Sequence, residues 1–253
     1  MAWNGPTSPQ QKALNALEGA FKERATVHLT YTAAVEIVSR TFRRPVPVWY
    51  IENALAADVR EQARQKKPQR FLKDYGAEKS NPQRGFSYAP MIAAQVAQEC
   101  ASRADEDPKV VCRDLVKKLQ FYNFPLLAAS LMTKLGYSVP EPRTGYTPGP
   151  DIVADRCNND VLVERVIVEA RTGDQQKWAT VFATAEKTIR TKQAHRGIVM
   201  SNRDEDVNPR DCITFWSLDR VVEEMVQFNV GFNGAGRVDP AFFRNLWLYF
   251  AAT

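Results

Sequence analysis

Gly149-Pro150-Asp151-Ile152-Val153-Ala154 is followed, after a polar turn, by Val166-Ile167-Val168-Glu169-Ala170-Arg171. Both runs are short, apolar and rich in β-branched residues, the pattern of buried strands. An acid opens the first run and an acid closes the second. On a strand, alternate side chains share a face. Glu169 and Arg171 therefore point one way, and Val168 and Ala170 the other. With Asp151 at the end of the neighbouring strand, its carboxylate faces Glu169. Two carboxylates and a backbone carbonyl, here that of Ala170, make an oxygen-rich set suited to Mg²⁺, with Mn²⁺ as a substitute. Such an ion neutralises phosphate charge and lowers the pKa of an attacking water.

The surrounding elements follow a definite order. Val110 to Leu135 has a helical pattern with a break before Pro125, and Gly136 stops it. Tyr137-Ser138-Val139 reads as a short strand, and a turn-rich stretch holds Pro140, Pro142, Gly145 and Pro148. Asp151 to Ala154 and Val161 to Arg171 read as paired strands joined through Cys157-Asn158-Asn159-Asp160. A helix runs from about Gln175 to Gln193. Gly197 to Ser201 and Cys212 to Trp216 are strands, and Leu218 to Val226 is a helix. The sum is an α/β fold, a mixed sheet flanked by helices.

This segment, about residues 118–226, resembles the PD-(D/E)xK restriction-endonuclease-like nucleases, and most closely their Mrr-type branch. The likeness starts at the helix beginning with Phe124 and continues through Leu135-Gly136-Tyr137-Ser138-Val139, the two acid-bearing runs and the strand–helix pairs behind them. It implies Asp151, Glu169 and the Ala170 carbonyl as metal ligands, with Arg171 at the position of the family's lysine. The implied activity is hydrolysis of DNA phosphodiester bonds by a Mg²⁺-dependent, restriction-type endonuclease. A homodimer is also implied, because two cuts in a duplex need two sites.

The chain departs from the family pattern twice. Many Mrr-type proteins carry a glutamate just after the aromatic that Phe124 matches, and here that residue is Pro125. Glu169-Ala170-Arg171 replaces Glu-x-Lys. Arginine keeps the positive charge and can clamp a phosphate or stabilise the charge of a phosphorane. It stays charged at any working pH and cannot act as a base. Water activation would then fall to the metal or to a lysine of the next helix, such as Lys177 or Lys187. The competing reading keeps the fold without the reaction: a catalytically inactive nuclease-like domain that binds nucleic acid or serves as an assembly module. Asp151 as a turn cap and Glu169 paired with Arg171 or Arg165 is the plain structural reading of the same residues.

Ahead of this domain the pattern is mainly helical. Residues 8–24 carry Ala13, Leu14, Leu17, Ala20 and Phe21 at helical spacing. Thr26 to Tyr31 alternates like a short strand, and helices follow from Thr32 to Arg43 and from Trp49 to about Lys66. Residues 67–90 read as a loop in which Phe71, Tyr75, Phe86 and Tyr88 are interleaved with bases, and residues 90–102 as a helix. Asp105-Glu106-Asp107-Pro108 reads as a helix start. The boundary is placed here: 1–108 as a basic recognition region and 109–253 as the nuclease domain.

Charge supports that division. The chain carries +5 overall, and residues 1–118 hold 19 Lys/Arg against 13 Asp/Glu. Arg64, Lys66, Lys67, Arg70, Lys73, Lys79 and Arg84 concentrate in one stretch, a candidate surface for the DNA backbone. A solvated basic loop is the alternative. The 253 residues are 44% hydrophobic and 25% charged, an ordinary globular composition. No apolar run reaches the roughly 20 residues of a membrane helix. The N-terminus lacks a secretory pattern, so a cytoplasmic, intracellular protein is expected. Cys100, Cys112, Cys157 and Cys212 form no C-x-x-C pair and read as buried thiols rather than a zinc site. No phosphate-cradling glycine loop occurs. His195 reads as part of a surface turn, Trp178, Trp216 and Trp247 as core, and the aromatic run Phe242 to Phe250 as a docking helix.

Overall fold

A computed structural model describes residues 6–65, 67–73, 83–120, 123–140, 150–173, 177–205 and 207–248. The chain forms two compact units, one of Met1–Gln95 with Trp247–Ala252 and the other of Val96–Leu246.

The first unit opens with α1 (Ser8–Arg24). The Gln10 side chain accepts the Thr7 backbone N–H at 2.9 Å and so closes the helix start. Ala25, in the left-handed region at φ 48°, ends the helix. All five apolar residues predicted to line α1 are buried. β1 (His28–Thr30) leads directly into α2 (Tyr31–Phe42), where the Thr30 hydroxyl accepts the Ala33 N–H at 3.2 Å. α3 (Val48–Arg64) follows the proline turn.

The stretch expected to be loop from 67 to 90 instead contributes β2 (Phe71–Lys73) and β3 (Gly85–Tyr88). With β1 they form an antiparallel sheet in the order β1-β3-β2 among the described residues. The aromatics make the difference. Phe71, Phe86 and Tyr88 pack around Phe21 of α1, with ring centroids 5.4–6.2 Å apart. Burying that apolar area outweighs the loop preference of the lysines and prolines nearby. α4 (Ala89–Ser102) leaves this sheet.

In the second unit, Asp107 caps α5 (Pro108–Lys118), accepting the Lys109 N–H at 2.9 Å with Pro108 in the first turn. The expected break before Pro125 separates it from α6 (Phe124–Lys134). Gly136, at φ 85°, follows α6. Tyr137-Ser138-Val139 supplies one bridge, Ser138 opposite Asp155, rather than a full strand.

β4 (Ile152–Asn158) and β5 (Val161–Arg171) form a hairpin longer than the sequence suggests. The first strand was expected to end at Ala154 with Cys157 and Asn158 in the turn, and Asp155 to Asn158 lie on β4 instead. Asp155 pairs with Arg165 at 2.7 Å across the strands, so its polarity serves the ladder. The turn shrinks to Asn159-Asp160, at φ 48° and 63°, the conformation of a tight hairpin turn. α7 (Trp178–Thr191) crosses to β6 (Arg196–Ser201), and β7 (Ile213–Trp216) and α8 (Leu218–Gln227) follow. α9 (Pro240–Leu248) closes the described chain.

The sheet order is β4-β5-β6-β7, with β4 antiparallel to β5 and β5, β6 and β7 parallel. This is the α/β mixed sheet flanked by helices, preceded by a mainly helical unit, that the sequence implied. On one face Ile167, Val199 and Ile213 pack against Val181, Phe182, Ala185 and Ile189 of α7. Phe243, Leu246 and Trp247 of α9 are buried, as are Trp216, Cys100 and Cys112. Cys157 and Cys212 are exposed, contrary to the buried-thiol expectation, because both lie at strand ends near turns. No helix among the described residues is long and apolar enough to cross a membrane.

A Cβ built on Gly85 would collide with the Leu29 carbonyl on the paired strand. Gly85→Ala therefore strains the β1–β3 pairing and lowers stability by about 1–3 kcal/mol. The shift in the denaturant midpoint measures it.

Candidate active site

Strand register builds this site. Ile152 on β4 stands opposite Val168 on β5. Asp151, one residue earlier, therefore stands opposite Glu169. Its Oδ2 accepts the Ala170 backbone N–H at 2.8 Å, which anchors the carboxylate at the end of the hairpin. Glu169 and Arg171 share the strand face of Ile167, the face that α7 covers.

The three predicted side chains meet. Arg171 donates from Nη1 to Asp151 Oδ2 at 3.0 Å and to the Ala170 carbonyl at 3.3 Å, and from Nη2 to Glu169 Oε2. Glu169 is only 1% exposed, and its Oε1 has no hydrogen-bond partner among the described residues. Burial pushes the Glu169 carboxyl up to about 7; Arg171 opposes that rise and the Asp151 charge adds to it. Burial also raises Asp151 above the ordinary carboxylate range, against the pull of Arg171 and the Ala170 N–H. Two carboxylates thus share one guanidinium in a poorly hydrated bay. With both acids ionised the set is one positive charge short, and one buried oxygen is without a partner among the described residues.

Oxygen donors from Asp151, Glu169 and Ala170 fit a hard divalent cation. They supply two carboxylates and one carbonyl. Among the described residues no group of three or more His, Cys, Asp or Glu converges. Asn123, ahead of α6, accepts the Gln120 N–H at 2.6 Å, a local turn contact.

Because β5 and β6 are parallel, α7 runs back along the sheet, and its N-terminus lies at the Arg171 end. Lys177 immediately precedes α7, whereas Lys187 is about 15 Å further along the helix axis at 1.5 Å per residue. Of the two lysines, Lys177 is therefore the one at the Arg171 end of α7. His195 is exposed and stitches β5 to β6: its backbone N–H bonds the Arg165 carbonyl, and its Nδ1 accepts the Arg165 N–H, both at 2.9 Å. Trp178 packs edge-on against Phe215, with centroids 5.0 Å apart.

Asn202 was missed in the sequence. Its backbone N–H bonds the Arg171 carbonyl at 3.2 Å, and its buried side chain donates to the Leu119 carbonyl at 2.8 Å. A polar cleft of about 640 Å³ in the same unit, lined by four bases (Arg103, Lys117, Lys118 and Arg203) and four acids (Glu99, Asp114, Asp204 and Glu205), was also missed. The Lys117-Lys118 pair was its visible signal. What couples it to Arg203, an Arg203–Lys117 carbonyl bond of 2.7 Å, spans 86 residues and has no local trace.

The basic stretch of the first unit behaves differently from a free cationic surface. Arg70 pairs with Asp58 and, at 3.5 Å, with Glu18, which also accepts the Tyr88 hydroxyl at 2.9 Å. Arg84 pairs with Glu52 at 2.7 Å and lies over the Tyr31 ring. Arg64 pairs with Glu61 at 2.6 Å one helical turn away and is well exposed, as is Lys67. The backbone of Lys73 lies in β2, and Lys66 and Lys79 lie outside the described residues.

No protein-family model matches the chain, and no curated protein matches it. Among solved structures it is similar to restriction endonuclease FokI bound to DNA, at 11% identity and a TM-score of 0.30, over 87% of this chain and 45% of that one. A second structure of restriction endonuclease FokI gives 11% identity and a TM-score of 0.31, over 87% and 44%. The chain spans less than half the length of either. At such TM-scores the likeness carries no weight, and the fold rests on the strand order and register above.

Removing Arg70 takes the cation from Asp58, which is 1% exposed and keeps a 3.3 Å hydrogen bond from the Gln62 amide. Arg70→Ala lowers stability by about 2–3 kcal/mol, its partial exposure taking it below the roughly 3–5 kcal/mol of a fully buried pair. Arg64→Ala, which breaks a solvent-exposed pair, leaves it essentially unchanged. Urea titration separates the two. For Glu169, the folded form holds its proton above the ordinary value of 4.5, up to about 7. The folded chain therefore binds more protons than the unfolded one in that window, and this carboxyl's contribution to stability falls as pH rises through it. In EDTA, Glu169→Gln removes that loss. Denaturant midpoints of wild type and variant coincide near pH 4.5 and separate toward pH 7, with the variant the more stable.

Proposed function

We propose that this chain is a Mg²⁺-dependent endonuclease that hydrolyses DNA phosphodiester bonds, with Mn²⁺ as a substitute ion. The observation that carries the reading is the convergence of Asp151, Glu169 and the Ala170 carbonyl at one strand end, short of one positive charge. These three would hold the ion, which when bound offsets phosphate charge and acidifies the attacking water. Asp151 is oriented by the Ala170 N–H. Glu169 is walled off from solvent, which strengthens its pull on a cation. Arg171 orients the scissile phosphate through its fork of donors. Lys177, beside the N-terminus of α7, would add positive charge at the Arg171 end of the sheet, whereas Lys187 lies farther along the helix.

A second reading, a nuclease-like domain that binds nucleic acid without cutting it, is favoured by a specific observation. Arg171 already hydrogen-bonds the three oxygens a metal would need. The net +5 charge suits a polyanion partner under both readings.

Supercoiled and linear duplex DNA incubated with Mg²⁺ or Mn²⁺ decides between them. Cleavage is expected, and Asp151→Asn and Glu169→Gln each lower its rate by about 100-fold or more. DNA left intact by wild type, while binding persists and weakens steeply with added salt, selects the second reading. Absence of both cleavage and salt-dependent binding eliminates both.

A further inference from the structure

The guanidinium of Arg171 and a divalent ion compete for the same place. Arg171 reaches Asp151 Oδ2 at 3.0 Å and the Ala170 carbonyl at 3.3 Å, and also bonds Glu169 Oε2. An ion in contact with those oxygens would stand where the guanidinium now does. Once both carboxyls are ionised a single positive charge cannot neutralise them, and Glu169 Oε1 is left without a partner among the described residues. Arg171 is thus held by acids that remain under-neutralised once it is in place.

The arginine is also the most accessible of the three side chains, at 27% exposed against 17% for Asp151 and 1% for Glu169. It is the member of the cluster able to move toward solvent and meet an incoming group. A phosphodiester offers it two oxygens on one centre, matched to its donor fork, whereas here it divides its bonds between acids on different strand ends. Withdrawing the guanidinium leaves both carboxylates without a cation. Their demand for positive charge then rises sharply.

We propose that Arg171 is an internal placeholder cation that keeps divalent metal out of the Asp151–Glu169 site until a nucleic-acid phosphate draws it away. Metal loading and nucleic-acid binding are then coupled through one side chain. The coupling is reciprocal by linkage, so bound metal also tightens nucleic-acid binding. The proposal rests on the reading of Asp151 and Glu169 as metal ligands. It goes beyond that reading by assigning an order of events and the residue that enforces it. Under it Arg171 is a positioning residue for the metal, besides its contact with phosphate.

Mn²⁺ binding to the full chain, followed by calorimetry and by the spin resonance of free Mn²⁺, provides the test. Wild type, Arg171→Gln, Arg171→Lys and Asp151→Asn are compared with and without a phosphorothioate-stabilised DNA duplex. Wild type is expected to bind Mn²⁺ at least about 10-fold more tightly with the duplex present. Arg171→Gln is expected to show that tighter affinity without the duplex, and the duplex then adds less than about 2-fold. Arg171→Lys keeps one charge but has no fork to span three oxygens, and its duplex-free affinity falls between the two.

Equal duplex-free affinity in wild type and both Arg171 variants overturns the proposal, as does an undiminished duplex effect in Arg171→Gln. Failure of the underlying metal-site reading looks different: no form binds Mn²⁺ under either condition, or Asp151→Asn binds it as wild type does. Thermal unfolding guards against a folding defect. Arg171→Gln is expected to melt lower than wild type in EDTA and to recover more than wild type does on adding Mn²⁺. If Arg171→Gln fails to fold in EDTA, Arg171→Lys carries the comparison, and a duplex-free affinity equal to that of wild type overturns the proposal.

Discussion

Two carboxylates facing one bay with a single guanidinium between them is the constraint on which the C-terminal unit depends. Antiparallel pairing of β4 with β5 sets Asp151 against Glu169, and a one-residue slip would turn Glu169 to the opposite face. The tight Asn159-Asp160 turn closes the far end of the hairpin, and a one-residue shift between Arg156 and Cys157 resets the register on the way to Asp151. Parallel pairing of β5 with β6 and the covering helix α7 complete the enclosure, with Asn202 bonded to the Arg171 carbonyl at the strand end. The enclosure is what makes the charges matter. In water two acids and one arginine would be unremarkable, but under a packed helix each missing hydrogen bond and each unbalanced charge is felt.

The first unit spends its basic residues in another way. Arg70 joins α1, α3 and the aromatic β-sheet through Asp58, Glu18 and the hydroxyl of Tyr88 on that same Glu18. Arg84 ties the entrance of β3 to α3 through Glu52. A stretch that looks like a cationic ribbon in one dimension is, in part, an internal set of ion pairs in three. Net charge still favours a polyanion partner, but count alone does not say which cations remain to meet one.

Much of the fold was legible in local pattern. The bounds of α1 match the predicted 8–24 because a clear apolar stripe, an early proline and basic residues in the last turn all agree. The start of α5 was visible in Asp107-Pro108, and the break before Pro125 in the residues themselves. β2 and β3 were not, because their strand character comes from Phe71, Phe86 and Tyr88 packing on Phe21, up to 67 residues earlier in the chain. The outer half of β4 escaped for a similar reason. Asp155-Arg156-Cys157-Asn158 has turn composition, and only the opposing Arg165 and Glu164 make it a ladder.

The candidate site divides along the same line. Sequence alone determined that Asp151 and Glu169 flank a hairpin and that Arg171 shares a face with Glu169, because strand alternation is a local property of the backbone. Tertiary structure decided that Arg171 lies between both acids and the Ala170 carbonyl, that Glu169 is almost wholly buried with one oxygen unpartnered among the described residues, and that α7 starts at the Arg171 end of the sheet. It also decided that Arg70 and Arg84 have acidic partners in their own unit. Alternation depends on neighbours in the chain, whereas desolvation and the choice of counter-ion depend on groups that meet only when distant segments pack together.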